Sequence, residues 1–415
     1  MSHALATSLD VAFARSRFPA LADETAYFDN AGGSQTLREV VDRIADYLLT
    51  TNVQLGATYA TSVRATERLQ DAQHRMAELV NAARPDEIVM GPTSTLLVQL
   101  LARAMMPQLV PGDEVVVTRA DHESNIGAWV QLASMGVVPR FWEMNPDTLT
   151  LDLVGLERVM SPRTKLVAFT HTSNIFGTIH PVSDITRFVH ERGAKVCVDG
   201  VAYAPHRAVD VQAWDVDYYV LSLYKVYGPH HALLYGKYEH LLGLANLYHY
   251  FIPNDRIPYK LQPGNPNYEL SYGSAGIPAY FAALGRRCGA PPSATSRESL
   301  ETAFSAMAAH EETLAARLLD YLASKPRVRV VGAATADRRI RVPTISFVAE
   351  GIDSQSVVRH MDALDVGVRH GDFHSRRLVE HLGLLPQNGV VRVSMVHYNT
   401  VDEVDRLIRG LDQVL

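Results

Sequence analysis

The stretch KVCVDGVAYAPHRAVDVQAWDVDYYVLSLYKVYGPHHALLYG, residues 195–236, decides the fold. It holds two short apolar runs, Val196 to Val198 and Tyr218 to Leu221, each the length of a buried strand, with a loop between them. The first run stops at Asp199 and the second at Ser222. Lys225 follows in a turn rich in Gly, Pro and Tyr. Ligands of open α/β sheets collect at the carboxyl ends of the strands, so Asp199 and Lys225 are expected to meet over one pocket. A structural ion pair at a sheet end is the alternative reading of the same two residues.

A carboxylate and a lysine in that relation suit pyridoxal 5'-phosphate. This cofactor needs a lysine amine for its Schiff-base link and an acid to keep its ring nitrogen protonated. The chain has six lysines, and the other five have simpler readings. Lys165 and Lys195 precede apolar runs as solvated strand starts, and Lys237, Lys260 and Lys325 sit among loop signals.

Working outward, strand and helix patterns alternate from Glu87. EIVMG, EVVVT, VVPRFWEM and KLVAFTH read as strands, with helices expected at 95–106, 124–135, 153–159 and 183–192. Such alternation predicts a mostly parallel sheet with helices on both faces. Upstream, residues 1–25 read as an N-terminal segment with a helix. YFDNAGGSQ at 27–35 reads as a short strand and glycine turn in which Asp29 and Asn30 are placed to cap the next helix. Pro291 and Pro292 break the pattern before a long helix from about Arg297 to Ser324. The expected division is therefore a segment 1–25, a large domain 26–287 and a small α+β domain 288–415.

Several of these pieces resemble the class V aminotransferases, the group that includes cysteine desulfurases and selenocysteine lyases. The resemblance rests on the Asp199 to Lys225 stretch, YFDNAGGSQ, GPTST at 91–95, DHESNIGAW at 121–129, HTSNIFGTIHPV at 171–182 and VRVSMVHYNTVDEVDRL at 391–407, all in the family's order. It implies the type I fold of pyridoxal enzymes, with a mixed, mostly parallel seven-stranded sheet, and a homodimer with shared active sites. It also implies roles. Thr93, Ser94, Thr95 and Ser222 would hold the phosphate, and Gly273 and Ser274 would stand where a neighbouring subunit supplies a further donor. His122 would stack on the ring, Asn174 would lie near the ring hydroxyl and the substrate carboxylate, and Arg392, with Arg369 at the mouth, would bind that carboxylate. Without the resemblance, the Ser/Thr cluster reads as an N-cap, His122 as a satisfied polar residue and Arg392 as half of a buried salt bridge.

The chain also departs from the desulfurase pattern. Gln54 and Leu55 replace a His and an Arg, Ala202 replaces a Gln, and Tyr224 replaces a His beside the cofactor lysine. In RHGDFHS, 369–375, the position of the persulfide-forming cysteine is His374. No cysteine occurs after residue 288, and imidazole cannot form and pass on a persulfide. His374 is either a general acid or base near neutral pH or a solvated loop residue.

Charge excludes other classes. A net charge of -6 leaves no basic footprint for nucleic acid and no polybasic segment for a membrane surface. No run approaches the roughly 18 apolar residues of a membrane span, and a cytoplasmic location is expected. Cys197 and Cys288 offer neither a disulfide framework nor a zinc site. The expected activity is pyridoxal-dependent chemistry on an amino acid: transamination, β-elimination, epimerisation or specialised bond formation at the α- or β-carbon. A desulfurase or selenocysteine lyase and a non-catalytic cofactor-binding regulator are the alternatives.

Overall fold

The structure, a computed structural model, describes residues 8–415. The start of the expected N-terminal segment, residues 1–7, lies outside the described residues. Seven strands form the large sheet in the order Ile88–Gly91, Ala232–Gly236, Tyr218–Ser222, Lys195–Asp199, Thr164–Thr170, Glu114–Thr118, Val138–Trp142. All run the same way except Ala232–Gly236, which is antiparallel to both neighbours. The expected mixed, mostly parallel sheet of seven strands is therefore what forms.

The two runs that opened the sequence reading are adjacent strands, with Cys197 opposite Tyr218 and Asp199 opposite Val220. Successive side chains of a strand face opposite sides, and here both sides are apolar. Val196, Val198, Tyr219 and Leu221 enter one core layer, and Cys197, Tyr218 and Val220 enter the other. Each fully buried aliphatic side chain contributes about 1.5–3 kcal/mol, which is why a run without polar alternation is stable only between two helical layers. The backbone must turn sharply once it leaves Asp199. A Cβ on Gly200 would lie 2.0 Å from the Tyr219 ring, so the turn tolerates no side chain there.

The helices follow the sequence pattern closely, with Ser94–Met105, Leu153–Val159 and Val182–His190 at the expected places. The expected helix at 124–135 is α-helical only over Ser124–Val130 and continues as a 3₁₀ turn. Asp29 and Asn30 do not cap the following helix. It begins at Arg38 after Leu37, with no side-chain cap, and both polar residues are turned to other partners. The long helix is Ser296–Ala323, opened by a capping box between Thr295 and Glu298.

The small sheet is antiparallel in the order Arg369–Gly371, Val390–Ser394, Thr344–Ala349, Val328–Val331. Apolar packing cuts across the expected division of the chain. Ala26 and Phe28 pack with Ile345, Val391 and Leu318, and Ala26–Tyr27 pairs in parallel with Val366–Gly367. In the long helix Leu300, Phe304 and Met307 join the large core, while Leu314, Leu318 and Leu322 join the small one. The helix thus ties the two cores together, and the start of the YFDNAGG segment is held by the small sheet.

Candidate active site

Strand carboxyl ends gather the site. Thr93 to Thr95 follow Gly91, His122 follows Thr118, Asn174 follows Thr170, Asp199 ends its own strand, and Lys225 follows Ser222. All of them line one cavity of about 130 Å³, together with Ala202 and Tyr224.

At one end of this cavity is the N-terminus of the Ser94–Met105 helix. Thr93 Oγ1 accepts from the Leu96 N–H at 3.1 Å, so the residue is an N-cap as well as a cavity wall. Ser222 Oγ donates to Ser94 Oγ at 2.9 Å, which places two hydroxyls from different elements side by side. Free helix N–H groups with hydroxyls beside them form an anion site. At the other end lies Asp199, buried, with one carboxyl oxygen accepting from the Val201 N–H at 2.9 Å. Burial raises its pKa and the Lys225 charge draws it back, so the carboxyl gains from a cation placed against it. Between the two ends, burial lowers the Lys225 pKa to about 8; Arg392 adds to the shift, and Asp199 and Asp29 oppose it. An anion cradle, a buried amine and a buried acid around one cavity suit the phosphate, aldehyde and ring nitrogen of pyridoxal phosphate.

His122 is a neutral ring. Its Nδ1 accepts from the Ser124 N–H at 3.1 Å, which leaves the proton on Nε2. Burial, then the charges of Lys225, His374 and Arg392, push its pKa down to about 3. Tyr224 forms a wall of the same cavity and stacks on His230 at 5.1 Å.

A second, more polar cavity of about 370 Å³ adjoins the first and shares His122, Asn174, Tyr224 and Lys225 with it. The small sheet supplies its far wall. Arg369 and Arg392 are directly opposed across two antiparallel strands, and the loop Asp372 to His374 closes over them. Arg392 is 2 % exposed. Its Nη1 donates to the Asn174 carbonyl at 3.1 Å, its Nη2 pairs with Asp29 at 3.1 Å, and its guanidinium lies 3.7 Å from the Phe373 ring centre. Arg369, largely exposed, reaches the other Asp29 oxygen at 3.4 Å. The His374 ring faces His122 at 5.2 Å between centres.

The loop carrying His374 is fixed from below. Asn174 Nδ2 donates to the Phe373 carbonyl at 3.0 Å and Asn174 Oδ1 accepts from Ser375 at 2.9 Å. The His374 carbonyl accepts from the Glu123 N–H at 2.8 Å, and Glu123 makes a two-pronged pair with Arg377. Phe373 and His374 both adopt positive φ, at 50° and 59°. Such a pair of non-glycine residues is held only where surrounding bonds over-determine it.

Ser274 is not brought to either cavity of this chain. It is fully buried in the Tyr268–Ser274 helix, where its hydroxyl donates to the Leu270 carbonyl at 2.7 Å, and the adjacent Gly273 packs on Ile44. Leu55 lines a separate cavity with Tyr259 and Tyr268. Sequence reasoning missed Asp29, Phe373 and the Glu123–Arg377 pair. Asp29 looks like a cap in a glycine turn, and nothing local links it to an arginine 363 residues away.

Fold and site together define a pyridoxal-phosphate-dependent enzyme. The chain belongs to the aminotransferase class-V family, whose profile matches residues 26–249 and 295–407. It is similar to the aminotransferase-like protein FGM3 of Gibberella zeae, 43% identical over 99% of both chains. It is also similar to the cysteine desulfurase-like protein ustD of Aspergillus flavus, 32% identical over 98% of this chain and 91% of that one. Among solved structures, the cysteine desulfurase CsdA of Escherichia coli superposes with a TM-score of 0.81 at 26% identity, covering 97% of this chain and 98% of that one. Among the described residues no helix is long and apolar enough to cross a membrane.

Proposed function

We propose that the protein acts on the α- or β-carbon of a free amino acid, by transamination, β-elimination or a specialised bond-forming reaction, and does not pass sulfur through an enzyme persulfide. The observation that carries this reading is the single cavity shared by Lys225, Asp199, His122 and the Thr93 to Thr95 helix N-terminus. Pyridoxal phosphate, when bound, supplies an electron sink for the carbon next to the amino group. Lys225 provides the amine that anchors the cofactor and then moves protons at the substrate carbon, a task suited to an amine whose pKa is lowered to about 8. Asp199 holds the proton on the ring nitrogen, and neutral His122 presents a flat face to the ring without adding a charge. Thr93, Ser94, Thr95, Ser222 and Tyr224 hold the phosphate end.

Arg392 and Arg369 receive the substrate carboxylate, and Asn174 fixes the loop that roofs it. His374, facing His122 at 5.2 Å, is placed to exchange a proton with the substrate side chain. The thiols do not support the desulfurase alternative. Cys197 and Cys288 are both buried, and burial raises the pKa of each, so neither presents a thiolate to the cavity. We further read the protein as a cytoplasmic homodimer that binds neither nucleic acid nor membrane. In that dimer we assign Ser274 to the site of the neighbouring subunit.

A panel of amino acids tests the function. The account expects at least one to change the absorbance of the bound cofactor and to yield a product. A 2-oxo acid without ammonia marks transamination, and a 2-oxo acid with ammonia marks elimination. No spectral response to any amino acid would favour a regulatory binding protein instead.

A further inference from the structure

The two arginines of the second cavity face each other across neighbouring strands, and like charges in that position repel. Arg392 is also buried, and a buried guanidinium without a counter-charge is costly. Asp29 answers both problems, with one carboxylate oxygen on Arg392 Nη2 at 3.1 Å and the other on Arg369 Nη1 at 3.4 Å. Its placement is built into the chain. Residues 28–30 run beside the Val390–Ser394 strand, with the Ser394 N–H donating to the Phe28 carbonyl at 2.7 Å. Gly32 leaves the room, since a Cβ there would lie 2.7 Å from the Asp29 carboxylate.

Two guanidiniums share one carboxylate, so the clamp retains one positive charge. Arg392 Nη1 is spent on a backbone carbonyl, whereas Nε is buried without a partner. A guanidinium gives a carboxylate two parallel N–H bonds from its Nε–Nη2 edge or from its Nη1–Nη2 end, and with Nη1 on the Asn174 carbonyl the edge is the one open to Arg392. On Arg392 that edge is half vacant and half held by Asp29.

We propose that Asp29 is an internal stand-in for the substrate carboxylate: it occupies Arg392 Nη2 in the free enzyme and yields it, remaining on Arg369, when an amino acid binds. This rests on the reading that Arg392 receives that carboxylate. Every incoming carboxylate must then displace Asp29. The displacement weakens every carboxylate by the same factor, so a ligand anchored only by its carboxylate falls to negligible occupancy, whereas an amino acid, held also through its amino group, remains bound.

The test uses propionate, a carboxylate without an amino group, and propionamide as control. Thermal unfolding of the holoprotein is followed against propionate at constant total salt. Wild type should respond weakly, and D29N should bind propionate about tenfold more tightly, the size of one displaced charge-assisted hydrogen bond. Propionamide should shift neither, and R392Q should abolish the response in both backgrounds. A response that survives R392Q refutes the carboxylate role of Arg392. A response that needs Arg392 but is equal in D29N and wild type refutes the stand-in alone. A crystal structure of wild type at saturating propionate needs no variant: Asp29 should lie on Arg369 only, and Asp29 still on Arg392, or an Arg392 without propionate, overturns the proposal.

Discussion

Replacing Arg392 by lysine keeps the positive charge and removes the planar fork. In the structure the guanidinium spends Nη1 on the Asn174 carbonyl, Nη2 on Asp29 and its face on Phe373. An ammonium offers one nitrogen and no face. The stacking lost against Phe373 costs stability of about 0.5–2 kcal/mol. For substrate, the loss is one of two parallel charge-assisted bonds, about 1.5–3 kcal/mol, or about a tenfold to 150-fold rise in KM. The residues proposed to hold the phosphate and the ring line the adjoining cavity, so cofactor content should stay at the wild-type level. The assay is steady-state kinetics with an amino acid from the panel, beside the cofactor absorbance of the same preparation. A KM within twofold of wild type, with cofactor retained, would show that the Asp29 pair is only structural. Loss of cofactor along with KM would show that Arg392 supports the fold of the site rather than the substrate.

Protein stripped of cofactor should load pyridoxal phosphate at a rate that climbs about tenfold per pH unit below pH 8 and levels off above it. Burial disfavours the Lys225 ammonium and lowers its pKa to about 8, so the reactive amine is the major form above that value. A rate still climbing steeply beyond pH 9 would contradict the lowered pKa. Incubation with cysteine and a thiol acceptor should leave no persulfide in the intact-mass spectrum; an adduct on Cys288 chased by the acceptor at a turnover rate would overturn the non-desulfurase reading.

The large sheet was legible because its inner strands are buried on both faces and therefore read as nearly unbroken apolar runs; the edge strand Val138–Trp142 is partly exposed. Asp199, Ser222 and Lys225 stood out at the ends of those runs, where packing gives no reason for a charge or a hydroxyl. The helix at 153–159 was legible from the alternation of strands and helices, and the structure opens it with Asp152, whose side chain accepts from the Gly155 N–H. The far wall of the site was less so. Arg392 announced itself as a charge in an apolar strand, but its partner Asp29 is a non-local choice made where residues 28–30 run beside the Val390–Ser394 strand. The backbone of Phe373 and His374 was equally hidden. Neither residue favours positive φ, and it is imposed by the bonds of Asn174 and Glu123 to their carbonyls and by the His374 N–H on Asp372. The contact of the long helix with both cores was hidden for a similar reason, since a helix that spans two cores shows one continuous pattern.

The central claim is that Lys225 holds the cofactor. Borohydride reduction of the holoprotein followed by peptide mass mapping tests it directly, because reduction makes the lysine link permanent. The account predicts the phosphopyridoxyl mass on the peptide containing Lys225, and its disappearance in Lys225→Ala but not in Lys195→Ala. The modification on any other lysine, or a Lys225→Ala protein that still carries it, would contradict the claim.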